Sequence, residues 1–166
     1  MTALVTGANG FLGSAVVRAL LADGSAVRAL VRPGSDRRNL DGLDVEIAAG
    51  DLTDRESLRL AAAGCESVFH VAADYRLWVA DPKPMYRANV DGSVNVLEAA
   101  AEAGSERMVY TSSVAVLGIN KDRTPADEDT PVTVEEKVGH YKRPKFLAVQ
   151  AVRKRGAEIE FPVVPV

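Results

Sequence analysis

Short apolar runs alternate with stretches of helical periodicity along the whole chain, separated by glycine-containing or polar turns. Ala3 to Thr6 reads as a first strand and Gly13 to Ala22 as a helix closed by Asp23-Gly24. Ala26 to Val31 reads as a second strand, stopped by Arg32-Pro33-Gly34, and Ser35 to Asp41 as a loop or short helix. A third strand, Val45 to Ala49, leads to a helix through Ala63. Thr53 is its expected N-cap, with Asp54 and Glu56 in the first turn where negative charge is favoured. Ser67 to Ala73 is a fourth strand. Val90, Val94, Leu97 and Ala101 then carry a long helix from Tyr86 to Ala103, stopped by Gly104. Arg107 to Ser113 is a fifth strand. A polar, proline-containing connection from Gly118 to Val138 precedes a helix from His140 to Arg155, and Glu160 to Val166 begins a sixth strand. Strands alternating with helices predict the α/β class: one domain, 1–166, built as a doubly wound parallel sheet of six strands with helices on both faces.

The first turn carries the first chemistry. Thr6-Gly7-Ala8-Asn9-Gly10-Phe11-Leu12-Gly13 follows the strand and opens the helix. In such a turn Gly7 permits the tight reversal, Gly10 lets the backbone approach a pyrophosphate, and Gly13 allows close helix–strand packing. The phosphates would rest on the free N–H groups and positive dipole end of the helix. A tight turn without a ligand is the alternative.

Composition narrows the partners. A net charge of −3 with no basic stripe argues against nucleic acid. No apolar run is long enough for a membrane span, and nothing at the N-terminus reads as a secretory signal, so a cytoplasmic location is expected. The single cysteine, Cys65, excludes an intrachain disulfide and reads as a small buried hydrophobe. His70 in its apolar run reads as a hydrogen-bonded core histidine, and His140 has no companion at metal-ligand spacing, so no metal is expected.

Tyr141-Lys142-Arg143-Pro144-Lys145 places a tyrosine and a lysine at i and i+4, on one helical face. A nearby ammonium favours a phenolate, which makes the pair a proton donor and acceptor for carbonyl–alcohol interconversion. Ser113, ending strand five at the carboxyl edge where ligands bind in such sheets, could hydrogen-bond the same substrate oxygen.

With these stretches in place, the chain resembles the N-terminal part of an extended short-chain dehydrogenase/reductase, of the NAD-dependent epimerase/dehydratase group. Within it, the chain is similar to bacterial hopanoid-associated sugar epimerases and dihydroflavonol reductase-like proteins. The glycine turn, Leu30-Val31-Arg32-Pro33, Gly50-Asp51-Leu52, Val68 to Trp78, Tyr86 to Ser93, Val109 to Ser113 and His140 to Ala148 carry the resemblance. It implies a Rossmann sheet and a nicotinamide cofactor, with Gly7, Gly10 and Gly13 forming the pyrophosphate turn and Phe11 and Leu12 giving N–H groups to the phosphates. It implies adenine contacts from Asp51 and Leu52, and a place beside ribose and pyrophosphate for Ala72 and Ala73. Asn89 matches the family's helix asparagine. Ser113, Tyr141 and Lys145 match its catalytic set, the lysine also holding the nicotinamide ribose. Local readings stay open beside these: Asp51 as a helix cap, Asn89 as a partner for backbone groups, and Trp78 as packing or a cleft wall.

NAD-specific members of the family carry an acidic residue after strand two. Here Arg32 stands there, with Arg37 and Arg38 nearby, so NADP is expected over NAD. Two departures matter. Pro144 stands where a small residue is usual, and it is tolerated only if the helix begins near Tyr141. Val149 replaces a usual acid. Family members also run longer, so residues 1–166 are expected to be the cofactor half without the C-terminal substrate region. Such a half would bind NADP(H) with little turnover of its small carbonyl or alcohol substrate, a sugar among the candidates, and would be prone to self-association at an exposed sheet edge. A binding module without catalysis is the rival reading.

Overall fold

Six parallel strands form one sheet in the order β3-β2-β1-β4-β5-β6. They are β1 (Thr2–Thr6), β2 (Ala26–Val31), β3 (Glu46–Ala49), β4 (Ser67–His70), β5 (Arg107–Tyr110) and β6 (Val163–Pro165). The computed structural model describes residues 1–120, 122 and 124–166. Lys121 and Arg123, part of the expected Gly118–Val138 connection, lie outside the described residues. The helices are α1 (Phe11–Ala22), α2 (Arg55–Ala62), α3 (Lys83–Tyr86), α4 (Gly92–Glu102) and α5 (Gly139–Glu158).

Period-two alternation divides the core. Leu4, Val68, Met108 and Tyr110 face α2, α4 and α5, packing on Leu58, Val96, Leu97 and Val152. Ala3, Val5, Val27, Ala29 and Val31 face α1 and pack on Val17 and Leu20. This is the expected two-faced sheet. The α1 face thins toward β6. Val5, Phe69, Val109 and Val164 are in register across it, and Val5 is fully buried while Val164 is 45% exposed.

The strand order reverses between β1 and β4, and the crevice outside the carboxyl ends at such a reversal is where open α/β sheets bind ligands. There β4 ends at His70 rather than at Ala73, because the Val71 and Ala72 N–H groups turn to the Thr6 hydroxyl at 3.2 Å each. Strand β5 likewise ends at Tyr110, not Ser113. The long helix expected over Tyr86 to Ala103 is interrupted: a π-turn, Arg87–Asp91, separates α3 from α4. The cap of α2 is also shifted by one residue. The Asp54 carboxylate accepts from Glu56 and Ser57 N–H groups, whereas the Thr53 N–H and hydroxyl both donate to Asp51, at 2.9 and 2.7 Å.

Candidate functional site

Around the β1–α1 turn the three glycines are held for different reasons. Gly7 has φ +67°, and a Cβ on it would lie 2.8 Å from the Ala72 Cα and N. Gly13 is buried against the turn, where a Cβ would come within 2.0 Å of the Gly7 carbonyl oxygen. Gly10 meets only the Gly7 oxygen, at 3.2 Å, and otherwise faces open space. Its φ of −78° needs no glycine, so a close approach from outside is what a side chain there would obstruct. No side chain among the described residues caps α1. Phe11 and Leu12 are exposed, leaving first-turn N–H groups and the positive helix end open to an anion. Asn9, just before the N-cap Gly10, donates from its side chain to the Asp36 carbonyl at 2.7 Å, and its backbone carbonyl accepts from Asn39 at 2.9 Å, bracing the 36–39 segment against the turn.

Arg32 is exposed at the end of β2. It faces two carboxyls. Asp51 is held below the usual carboxylate range by its bonds from the Thr53 hydroxyl and N–H, with the Arg32 charge adding to them. Asp74 is lowered chiefly by the Arg76 guanidinium, again with a contribution from Arg32. Arg38 is occupied differently, gripping the Asp36 carboxylate (Nε to Oδ2 2.8 Å) and holding it down to about 2. Leu52 is half-buried and packs at the start of α4, where a Cβ on Gly92 would be 2.8 Å from its own Cβ. Ala72 and Ala73 lie half-buried on the segment facing the glycine turn.

Ser113 and Tyr141, 28 residues apart, meet with hydroxyl oxygens 3.2 Å apart. Ser113 Oγ also accepts from the Ala115 N–H at 3.1 Å, which leaves its own proton to donate. Lys145, one turn after Tyr141, is 6% exposed. It donates from Nζ to the Thr111 carbonyl at 2.8 Å and lies 5.2 Å from the Tyr110 ring centre. Burial brings its ammonium down to about 8. Helix α5 starts at Gly139, so Pro144 falls in the second turn, past the position where proline is free of cost. The Ser113–Tyr141 contact forms all the same, and Pro144 is buried. Val149 is 5% exposed within the core, which accounts for an apolar residue there. Trp78 is 80% exposed, so it does not pack within the described chain.

Among known proteins, the model of the NAD dependent epimerase/dehydratase family matches residues 3–166. The chain belongs to that family. A protein of Synechocystis sp. named as a dihydroflavonol 4-reductase is 47% identical over 146 residues, covering 88% of this chain and 42% of that protein. The crystal structure of gox2253 superposes with TM-score 0.93 at 50% identity, over 99% of this chain and 50% of that one. The UDP-glucose 4-epimerase of Thermus thermophilus, in complex with NAD, gives 0.85 at 28% identity, over 99% and 54%. This family member therefore spans about half the length of the relatives it matches.

Two polar residues of this epimerase/dehydratase chain, Thr6 and Asn89, bind the 71–74 segment from behind, and His70 and Ser93 link them. Asn89 is 2% exposed, and its amide brackets Asp74, accepting from the N–H at 2.7 Å and donating to the carbonyl at 2.8 Å. It serves backbone groups, the local alternative to a chemical role. His70 is buried, as expected of a core histidine. The sequence assigns Thr6 and Ser93 no role of their own, because a buried hydroxyl leaves no periodic signal. Among the described residues no His/Cys/Asp/Glu group is arranged to hold a metal, and no helix is long and apolar enough to cross a membrane.

The buried ammonium of Lys145 gives a first expected outcome. Lys145→Met should keep or raise stability at neutral pH, by up to ~2 kcal/mol, because a desolvated charge is replaced by an apolar chain of similar length. Urea unfolding checks it. A loss above ~1 kcal/mol would mean that the bond to Thr111 outweighs the desolvation.

Proposed function

We propose that the chain is the NADP(H)-binding part of a short-chain dehydrogenase/reductase that interconverts a carbonyl and an alcohol on a small molecule. The observation that carries this reading is the 3.2 Å contact between Ser113 and Tyr141 on the same sheet edge as an uncapped glycine turn. The donor set fits a dinucleotide: open N–H groups at Phe11 and Leu12, space beyond Gly10, a half-buried carboxylate at Asp51, and Leu52 beside it. A bound nicotinamide would supply or accept the hydride at the substrate carbon. In the reducing direction the Tyr141 hydroxyl gives its proton to the substrate oxygen as that hydride arrives at the carbon. Ser113 donates a hydrogen bond to the same oxygen, and the Lys145 ammonium favours the phenolate left behind and holds the ribose. A cytoplasmic setting and a sugar or similar carbonyl substrate belong to this proposal. The Ser113–Tyr141 contact argues for it over a binding module without catalysis.

Cofactor choice follows from Arg32. A guanidinium can take a 2′-phosphate bidentately, and Arg38 is already engaged by Asp36. Calorimetric titration should give tighter binding of NADP(H) than NAD(H), and Arg32→Ala should erase most of the difference. Equal affinities in the parent chain would defeat the assignment. Gly10→Val should abolish binding of both, by more than ~100-fold, while leaving the melting temperature within a few degrees. Near-parental affinity in that variant would make the turn purely structural.

Turnover should depend on closure over the substrate. Tyr141 and Ser113 are only half-buried, Val114 next to Ser113 is 86% exposed, and Tyr75, Leu77 and Trp78 after β4 are at least 75% exposed. A displacement of about 1 Å in such a site costs ~100-fold. The 166-residue polypeptide should therefore bind cofactor with little turnover, and appending the C-terminal half of a relative should raise activity more than Pro144→Ser does. The thinly covered β6 side of the α1 face is also where self-association would occur, read by sedimentation.

A further inference from the structure

Behind the candidate cofactor cleft runs a buried line of hydroxyl and imidazole groups whose donors and acceptors can be counted. Thr6 Oγ1 accepts two N–H bonds, from Val71 and Ala72, each at 3.2 Å. His70 Nδ1 is 2.7 Å from the same oxygen. With its lone pairs taken by the two amides, Thr6 must donate its proton to Nδ1. The neutral ring then carries its own proton on Nε2, which donates to Ser93 Oγ at 2.9 Å. Ser93 in turn gives its proton to the Asn89 carbonyl at 2.6 Å, within the π-turn. The direction is single: Thr6 to His70 to Ser93 to Asn89.

Each end of that line grips the same segment. Thr6 fixes Val71 and Ala72, and the Asn89 side chain fixes Asp74. Between the two grips stands His70, 1% exposed. Ala72 is also the backbone against which Gly7 is packed without room for a Cβ. The segment and the glycine turn are thus two walls of one crevice.

We propose that His70 is a positioning residue, fixed as the neutral Nε2–H tautomer, that ties the π-turn to Thr6 and so sets the distance between the 71–74 segment and the glycine turn. The groups around it agree. Thr6 on β1 and Ser93 on α4 are neutral; the Tyr110 ring of β5 lies 5.6 Å away; and the Lys145 ammonium of α5 opposes a second positive charge. Burial acts in the same direction, more strongly. The consequence for cofactor affinity rests on the functional reading above; the tautomer and the coupling do not.

The test uses the 15N-labelled chain without ligand. Long-range proton–nitrogen spectra should show His70 Nδ1 unprotonated and Nε2 protonated at neutral pH. Ser93→Ala should shift the amide signals of Val71 and Ala72 and speed exchange of the Ala72 amide by about tenfold, although Ser93 touches neither residue. Thr6→Val should do the same, and Thr6→Ser, which keeps the hydroxyl, should restore the parental spectrum. An Nδ1–H tautomer overturns the proposal. So does a Ser93→Ala chain that melts earlier while its Val71 and Ala72 amides stay in place. With NADP(H) added, Thr6→Val should bind about tenfold more weakly and Thr6→Ser within about threefold of the parent. A parent chain that binds no dinucleotide counts against the functional reading, while the ligand-free spectra still decide the role of His70.

Discussion

Gly13→Ala should be among the most destabilising single-carbon additions in this protein, costing about 3–5 kcal/mol and lowering the melting temperature by ~10 °C or more. An added Cβ would lie 2.0 Å from the Gly7 carbonyl oxygen and 2.6 Å from its carbon. Both are backbone atoms of the turn, and neither can rotate away. The Gly7 oxygen is moreover already committed, accepting from the Gly10 N–H at 2.9 Å. Relief would require α1 to move off the sheet, and Val17 and Leu20 would leave the core with it. Gly10→Ala is the control. Its Cβ meets the same oxygen at 3.2 Å, which a few tenths of an ångström relieve, so its effect should stay near 1 kcal/mol or less. Urea denaturation of both variants reads the difference. A Gly13→Ala chain melting within ~2 °C of the parent would show that α1 is not clamped to β1 through this contact.

That contrast marks what could be read in the residues and what could not. The glycine spacing announced a turn that a dinucleotide fits, and hydrophobic alternation announced the strands and both faces of the sheet, because burial imposes a period. That Ser113 and Tyr141 lie close, with Lys145 one turn on, was legible through helical spacing and strand position, although Ser113 lies just past the strand it was expected to end. Element ends were less legible. Beyond β1 the chain turns at Gly7, so Val71 and Ala72 have no strand to pair with. A side-chain hydroxyl takes over, and nothing in an apolar run such as Val68 to Ala73 reveals that change of partner.

The π-turn illustrates the same limit. Arg87–Asp91 continues the helical pattern in both directions, with Val90 and Val94 in phase. What accompanies it is a tertiary demand: the Asn89 side chain reaches Asp74 and the Ser93 hydroxyl meets His70 on β4, while Ser93 bonds back to the Asn89 carbonyl one turn before. Pro144 is the reverse case. Proline is cheap only in a helix's first turn, yet α5 begins at Gly139, one residue before its expected start at His140, and carries Pro144 in its second turn. Packing of Ala148, Val149 and Val152 into the core beneath the sheet outweighs one missing helical bond.

Stability should fall by about 2 kcal/mol between pH 7 and pH 5, before carboxylates begin to protonate. The cause is His70, which burial, helped by the Lys145 charge, brings down to about 3 in the folded chain. An unfolded chain binds a proton there near pH 6.5, so between that value and 3 the unfolded state holds more protons and stability rises with pH. Carried to pH 3, the loss reaches about 4 kcal/mol, a large part of a domain's total. On the alkaline side Lys145 has the same sign. Its folded value of about 8 lies below the unfolded one, so stability should rise further as pH climbs past 8. Tyr110 has the opposite sign. Burial pushes its phenol up to about 12, so its contribution holds below ~10 and is lost above. The contribution of these three groups together therefore rises from acid pH through neutrality and turns down only above ~10. Urea midpoints measured across the range, with His70 followed by NMR, test this directly. A flat profile from pH 7 to pH 5, or a His70 signal that titrates near 6, would mean that the imidazole is not held neutral by burial.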